Sequence, residues 1–244
     1  MRMMNESEVL LYARNNFEIH DDFDWYISPH RWTNLAADGG VTAFAESDAE
    51  AGVIQGATGA TDNNEIMCRS TNEVALYQAN YAFVMESFIQ YTEANTDDAN
   101  VAIGMGNAAG ANVLLDDGGG AGSFNSAALI YKIDGGTVWR CYSRSGTGTA
   151  IDTVTVHTAG GANYQLLTIK GYATIGSTEA ELTFYLDGQP MLNSDNKPFS
   201  HRLILGTPTE MRIIAGYVKA GSANSETLNI DRTYFGARRL QAGM

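Results

Sequence analysis

The sequence has few of the residues that stabilise small secreted domains. It contains two cysteines among 244 residues, too few thiols for a disulfide framework. Cys68 and Cys141 are therefore expected to be buried thiols without a bridge, and their spacing matches no zinc motif. No stretch approaches the ~20 apolar residues of a membrane span. A chain of this length can bury a core without a crosslink or a metal.

Positive charge is scarce in the first half of the chain. Residues 1–131 hold 4 Lys and Arg against 19 Asp and Glu, whereas residues 132–244 hold 11 against 9. The net charge of −13 argues against direct nucleic-acid binding, because such a site needs a basic face that displaces counterions. The asymmetry is compatible with head-to-tail contacts between copies.

A helical repeat of apolar residues is nearly absent. The best candidate for a short helix is 8–14, which Ser7 would cap. Elsewhere, short apolar or alternating runs lie between clusters of Gly, Asn, Asp and Thr, which is typical of a β-sandwich or barrel. The runs expected to form strands are 40–46, 52–58, 64–70, 73–78, 81–93, 100–106, 127–134, 137–145, 151–158, 164–173, 179–188, 201–206, 210–220 and 226–238.

Turn residues and side-chain parity refine this strand series. The dipeptides Gly-Gly at 135–136 and Asp-Gly at 187–188 predict tight hairpins. In the last run, Leu228, Ile230 and Arg232 share parity, so the end of that strand is expected to leave the core. We find no internal repeat and no Pro/Ser-rich linker, which indicates one domain.

The glycine-rich loop "LLDDGGGAGSFNS" at 114–126 raises the possibility of a phosphate site. A phosphate loop leads into a helix N-terminus and usually carries a lysine. Here Asp116 and Asp117 would repel phosphate, the next lysine is Lys132, and the following "SAALIYKI" predicts a strand. We therefore do not expect a nucleotide site.

The order of features from residue 21 onward resembles the concanavalin A-like jelly rolls found as structural proteins of tailed bacteriophages. The resemblance is carried by "FVMESFIQY", the "IYKIDGGTVWRCYS" hairpin, "LTFYLDGQPM" and the closing "LNIDRTYFGARR". It implies an all-β fold, a two-sheet antiparallel jelly-roll β-sandwich over residues 21–244, behind a short N-terminal arm at 1–20.

The same resemblance implies a role in the virion. The expected function is that of a capsid decoration (cement) protein, a homotrimer that binds the major capsid protein on the outer shell and stabilises it. No signal peptide is recognisable, so synthesis in the host cytoplasm is expected. The alternatives are a carbohydrate-binding, lectin-like module of a phage tail or cell surface, and a polysaccharide-cleaving enzyme.

The N-terminal arm carries the candidate partner-contact residues. Burying such apolar side chains is worth roughly 1.5–3 kcal/mol each before ordering costs. An arm that docks several of them on a neighbouring subunit or on the shell would strengthen the assembly. The candidate residues are Val9, Leu10, Leu11, Tyr12 and Phe17.

Catalytic and metal-binding patterns are weak. Glycoside hydrolases use two carboxylates, but Glu86 and Glu93 are seven residues apart and face opposite sides of a strand. We therefore expect no enzyme activity and no catalytic residue. Acidic clusters at 21–24, 62–65, 97–98 and 116–117 lack a calcium-loop spacing, so no metal or other cofactor is expected. The histidines, expected to lie at the surface, are His20, His30, His157 and His201.

Large aromatic side chains are the remaining candidates for sugar contacts. Stacking on a sugar requires an exposed ring, whereas aromatic residues most often fill cores and interfaces. Packing is therefore the favoured interpretation for each candidate. The candidates are Trp25, Tyr26, Trp32, Trp139 and Tyr142.

Overall fold

The computed structural model describes residues 16–24, 26, 30–36, 38–48, 52–95, 97–146, 148–160 and 163–240. These residues form sixteen strands and no helix, and hence no helix that could cross a membrane. The strands are β1 (Asn16–Asp21), β2 (Trp32–Ala36), β3 (Thr42–Asp48), β4 (Val53–Ala57), β5 (Glu65–Ser70), β6 (Tyr81–Thr92), β7 (Ala99–Gly106), β8 (Ala127–Lys132), β9 (Val138–Arg144), β10 (Ile151–Thr158), β11 (Gln165–Ala173), β12 (Glu179–Leu186), β13 (Gln189–Pro190), β14 (His201–Ile204), β15 (Arg212–Ala220) and β16 (Thr227–Arg239).

The strands pair antiparallel in two sheets, which confirms the predicted two-sheet sandwich. Sheet A has nine strands in the order β13-β12-β11-β6-β16-β4-β3, with β1 added to β16 and β14 added to β12. Sheet B has seven strands in the order β10-β9-β8-β7-β15-β5-β2. The main core lies between the sheets and includes the free, buried thiols of Cys68 and Cys141.

Most predicted strands are present, but the run at 73–78 is an exception. It makes only an isolated bridge, between Ala75 and Met211. Ala75 and Tyr77 of this run are nevertheless buried in the main core, which explains why the run has the composition of a strand. Conversely, β1, β2 and β13 were not predicted from the sequence. The dipeptide at 187–188 forms the expected hairpin, with positive φ at both residues, as in a type I′ turn.

The prediction that the last strand leaves the core is wrong because β16 contains a bulge. Ile230 lies opposite Ile89 and Arg232 lies opposite Phe88, so Asp231 is an extra residue in β16. The bulge reverses the parity of every later side chain. As a result, the second half of β16 also contributes buried side chains to the core.

The N-terminal residues that the structure describes belong to sheet A. β1 begins at Asn16, five residues before the predicted boundary between arm and domain, and pairs with β16 up to Arg238. Phe17 is 43% exposed, and its ring centroid lies 6.3 Å from that of Phe235. The other predicted contact residues, and the helix candidate at 8–14, lie outside the described residues.

A second apolar cluster lies on the outer face of sheet B. The connection at 107–126 folds over this face and buries Val113, Leu114 and Phe124 against side chains such as Leu129. Phe124 contacts Tyr142, with ring centroids 6.2 Å apart. Both faces of the middle of sheet B are therefore covered by protein.

Buried polar groups hold this connection in place. Tyr217 donates a hydrogen bond to Glu65 at 2.6 Å, and the backbone N–H of Asn112 donates to both oxygens of the same carboxylate at 2.9 Å. The Lys219 ammonium donates to the Asn112 side chain at 2.8 Å and pairs with Asp116. The ion pair between Asp116 of the glycine-rich loop and Lys219 of β15 therefore anchors the loop to the sheet.

Candidate binding groove on sheet A

The outer face of sheet A contains two adjoining hollows, of about 240 and 250 Å³. We call the pair the groove. The first hollow is lined by His20, Glu86, Leu166, Arg232 and Tyr234. The second is lined by side chains and backbone of Glu18, Ala82, Phe83, Val84, Tyr234, Gly236, Ala237 and Arg238. Tyr234 belongs to both hollows and marks the middle of the groove.

Strand register places the polar side chains of the groove around Tyr234. Tyr234 lies directly opposite His20 of β1 on one side and opposite Glu86 of β6 on the other. The bulge at Asp231 turns these β16 side chains outward, since Ile230 before the bulge faces the core. Without the extra residue, Tyr234 would point into the sandwich.

The ring of Tyr234 leans along β16 over Gly236. A methyl group placed on Gly236 would collide with the hydroxyl end of Tyr234. Because Gly236 has no side chain, the ring can lie across the sheet rather than stand upright on it. The Tyr234 ring is partly exposed, its centroid lies 6.5 Å from that of the His20 ring, and it lines both hollows, so it can be reached from the groove.

The first hollow is bordered by an aromatic and cationic cluster. The Arg232 guanidinium lies 4.7 Å from the centroid of the Phe88 ring, within cation–π range. Phe88 in turn packs on Tyr164, with ring centroids 5.1 Å apart. Glu86 accepts a hydrogen bond from the Thr168 hydroxyl at 3.2 Å. These contacts orient a guanidinium and a carboxylate that both line the hollow.

The two glutamates considered as a catalytic pair lie in different environments. Glu86 is on the outer face of sheet A and lines the first hollow. Glu93 follows the end of β6 and accepts hydrogen bonds from Lys132 at 2.7 Å and from the Ala99 backbone at 2.9 Å. Lys132 is buried, so Glu93 acts as the counter-ion of a buried ammonium and does not face the groove.

The aromatic residues singled out from the sequence mostly pack inside. Trp32 and Trp139 are buried, and their indole N–H groups donate to Asp21 at 2.8 Å and to Gln165 at 3.1 Å. Tyr142 is also buried, Tyr26 is partly buried, and Trp25 lies outside the described residues. Packing is therefore confirmed for Trp32, Trp139 and Tyr142. The groove contains Tyr234 instead, whose sequence parity is that of the core residues Leu228 and Ile230.

The expectation that all histidines lie at the surface is wrong for His201. It is 2% exposed, and burial lowers its pKa to about 4. Its ring nitrogens contact the hydroxyls of Ser143 at 2.7 Å and Thr153 at 3.0 Å. The Ser143 pair has the spacing of a nucleophile and its base, but both residues are buried, so a substrate has no access to it.

The acidic clusters have protein partners. The Asp21 carboxylate accepts hydrogen bonds from Arg31 at 3.1 Å and from the Trp32 indole, and Asp98 accepts one from Ser222 at 2.6 Å. Within the described part of the chain, no three His, Cys, Asp or Glu residues are arranged to hold a metal ion. Absence of a metal from the full chain remains a prediction.

Comparisons with known proteins identify the fold. No family model and no curated protein sequence matches the chain. A protein of unknown function from Shewanella oneidensis MR-1 aligns over 100% of this chain and 99% of its own, with a TM-score of 0.57 and 14% identity. The Emp47p carbohydrate recognition domain aligns over 94% and 99%, at 0.59 and 10% identity. An endo-1,3-β-glucanase from Streptomyces sioyaensis aligns over 92% and 97%, at 0.56 and 12% identity. The chain therefore has the lectin-type, concanavalin A-like jelly-roll fold predicted from the sequence.

Proposed function

We propose that this chain is a glycan-binding domain that holds its ligand in the groove on sheet A. The observation that carries the proposal is the Tyr234 ring lying over Gly236, with Glu86 and Arg232 beside it. An exposed ring face packs against the C–H face of a sugar, while carboxylate and guanidinium groups form hydrogen bonds with hydroxyls. The carbohydrate recognition domain among the structural neighbours supports the same class of ligand.

We propose further that the groove binds a glycan without hydrolysing its glycosidic bonds. Glu86 and Glu18 are its carboxylates, and they lie on β6 and β1 with β16 between them. Two strand spacings and a two-residue offset place their backbones about 12 Å apart. Glycosidase carboxyl groups are about 5–9.5 Å apart, a range that glutamates on these backbones reach only if their side chains lean towards each other. Glu86 instead accepts a hydrogen bond from Thr168 of β11, on the side of β6 away from β1, which does not favour the paired-carboxylate chemistry of the glucanase among the neighbours.

The test is a glycan array followed by calorimetry on the best ligand. Tyr234→Ala should weaken binding at least tenfold, because the stacking platform is lost. Tyr185→Ala is the matched control: Tyr185 is a partly exposed tyrosine on β12 with its ring under the Lys170 ammonium, outside the groove. Equal affinity of both variants for the ligand would show that the ligand does not bind in the groove. No binding by the unmodified chain to any glycan would reject the function.

A second candidate is the capsid decoration role implied by the sequence resemblance. The observation that favours it is the pairing of β1 with β16 in sheet A, because β1 directly follows residues 1–15 in the sequence. In this candidate function, Val9, Leu10, Leu11 and Tyr12 would contact the major capsid protein or a neighbour in a homotrimer.

Deletion of residues 2–15 tests the decoration role, since it leaves β1 intact. The truncated chain should fail to bind capsids that lack the protein, whereas a chain with Phe17→Ala should bind them more weakly. Undiminished binding by the truncated chain would exclude the arm. If the protein is a monomer that binds a glycan but does not bind capsids, the decoration role is excluded.

A further inference from the structure

The groove presents the same pair of charged groups on both sides of Tyr234. Glu86 and Arg232 line the first hollow, and Glu18 and Arg238 line the second. Each hollow therefore offers one acceptor group and one group with several donors. The first pair comes from β6 and β16, and the second comes from β1 and β16.

The two carboxylates are placed symmetrically across β16. Glu86 lies on β6 opposite Tyr234, and Glu18 lies on β1 opposite Gly236. The residue midway between these two positions is Phe235. A half-turn about an axis through Phe235, perpendicular to the sheet, therefore carries the position of one carboxylate approximately onto the other, because β1 and β6 both run antiparallel to β16.

The two guanidinium groups follow the same symmetry. Arg232 is three residues before Phe235 and Arg238 is three residues after it. They are six residues apart on one strand and on the same face, or about 20 Å along β16. That length exceeds a single sugar ring, and the four charges of the two hollows sum to zero.

On the basis of the proposed function, we infer that the groove binds the interior of a linear, uncharged oligosaccharide rather than a terminal monosaccharide. One unit of the chain packs on Tyr234, and the units on either side of it reach the Glu86–Arg232 pair and the Glu18–Arg238 pair. The zero net charge disfavours a uronic acid or sulfated chain, which would need an excess of guanidinium groups. The open ends along β16 leave room for a longer polymer.

The inference is tested with oligosaccharides of defined length. Calorimetry would use the mono-, di-, tetra- and hexasaccharides of the cello-, laminari-, manno- and chito-series. In the series that binds, we expect the hexasaccharide to bind at least tenfold more tightly than the monosaccharide. Equal affinity for the monosaccharide and the hexasaccharide, still lost in Tyr234→Ala, would overturn the inference while leaving the proposed function intact. Absence of any binding by the unmodified chain would reject both.

Variants of the two hollows provide a second, independent readout. Glu18→Gln and Glu86→Gln should each weaken hexasaccharide binding several-fold, and the double variant should reduce it to the level of the disaccharide. Glu181→Gln, on the outer face of β12, is the matched control and should bind normally. Full hexasaccharide affinity in Glu18→Gln would show that the second hollow is not used, which would overturn the two-sided site. Thermal unfolding of each variant verifies that the fold is retained.

Discussion

The two sheets differ in what covers their outer faces. On sheet B, Leu129, Tyr131 and Tyr217 point away from the main core yet are fully buried, because the connection at 107–126 lies over them. On sheet A, side chains with the same outward orientation, such as Arg232 and Lys170, are exposed. The sandwich therefore needs only one face of sheet A for its core, and the other face is left open to solvent. The outer face of sheet B instead contributes to stability.

The largest expected loss of stability comes from removing a side chain that is buried under the 107–126 connection. Phe124→Ala should lower the free energy of unfolding by about 3–5 kcal/mol, the usual cost of a buried Phe truncation, because Phe124 is 2% exposed. Phe88→Ala on sheet A should cost only about 1–2 kcal/mol, since Phe88 is partly buried and the substitution removes its contact with the Tyr164 ring and its cation–π contact with Arg232. Urea denaturation measures both. Similar losses in the two variants would contradict the distinction between the faces.

A smaller effect is expected from the polar contacts under the same connection. Lys219→Met should cost about 1–3 kcal/mol, because it leaves the Leu114 carbonyl and the Asn112 side chain without their buried donor. Lys170→Met is the matched control on the exposed face and should change stability by at most ~1 kcal/mol. If Lys219→Met and Lys170→Met lose the same free energy of unfolding, Lys219 does not stabilise the 107–126 connection.

The stability of the whole sandwich should also depend on pH through His201, which is buried between the two sheets. Burial lowers the pKa of His201 to about 4 from an ordinary value of 6.5. The unfolded chain therefore takes up a proton between these values that the folded chain does not, so this contribution to stability is complete above pH 6.5 and is lost as pH falls towards 4. We expect a loss of about 1–3 kcal/mol from pH 7 to pH 4 that His201→Gln largely removes. An unchanged pH dependence in His201→Gln would show that His201 does not carry this effect.

Sequence patterns predicted the core better than either outer face. "FVMESFIQY" in β6 alternates as a strand with one buried face does. The continuous apolar run "AALIY" in β8 is typical of a strand buried on both faces, but no segment was predicted to cover it. Asp187-Gly188 specified its hairpin because a type I′ turn favours these residues.

The position of Tyr234 could not be predicted in the same way. Its direction depends on the bulge at Asp231, and a bulge is a property of the pairing between β16 and β6 rather than of the residues near Asp231. β1 was missed for a related reason: its polar sequence "NFEIHD" becomes a strand by pairing with β16. The hollows also combine residues far apart in sequence, such as Glu18 and Arg238.

Ligand binding on the exposed face of sheet A can be mapped by backbone amide shifts of the labelled protein, recorded during titration with the tightest-binding oligosaccharide. We expect the largest shifts in β1, β6 and the second half of β16, around Tyr234, with little change at 107–126. Shifts concentrated at 107–126 and on the strands of sheet B beneath it would show that the ligand does not bind on sheet A.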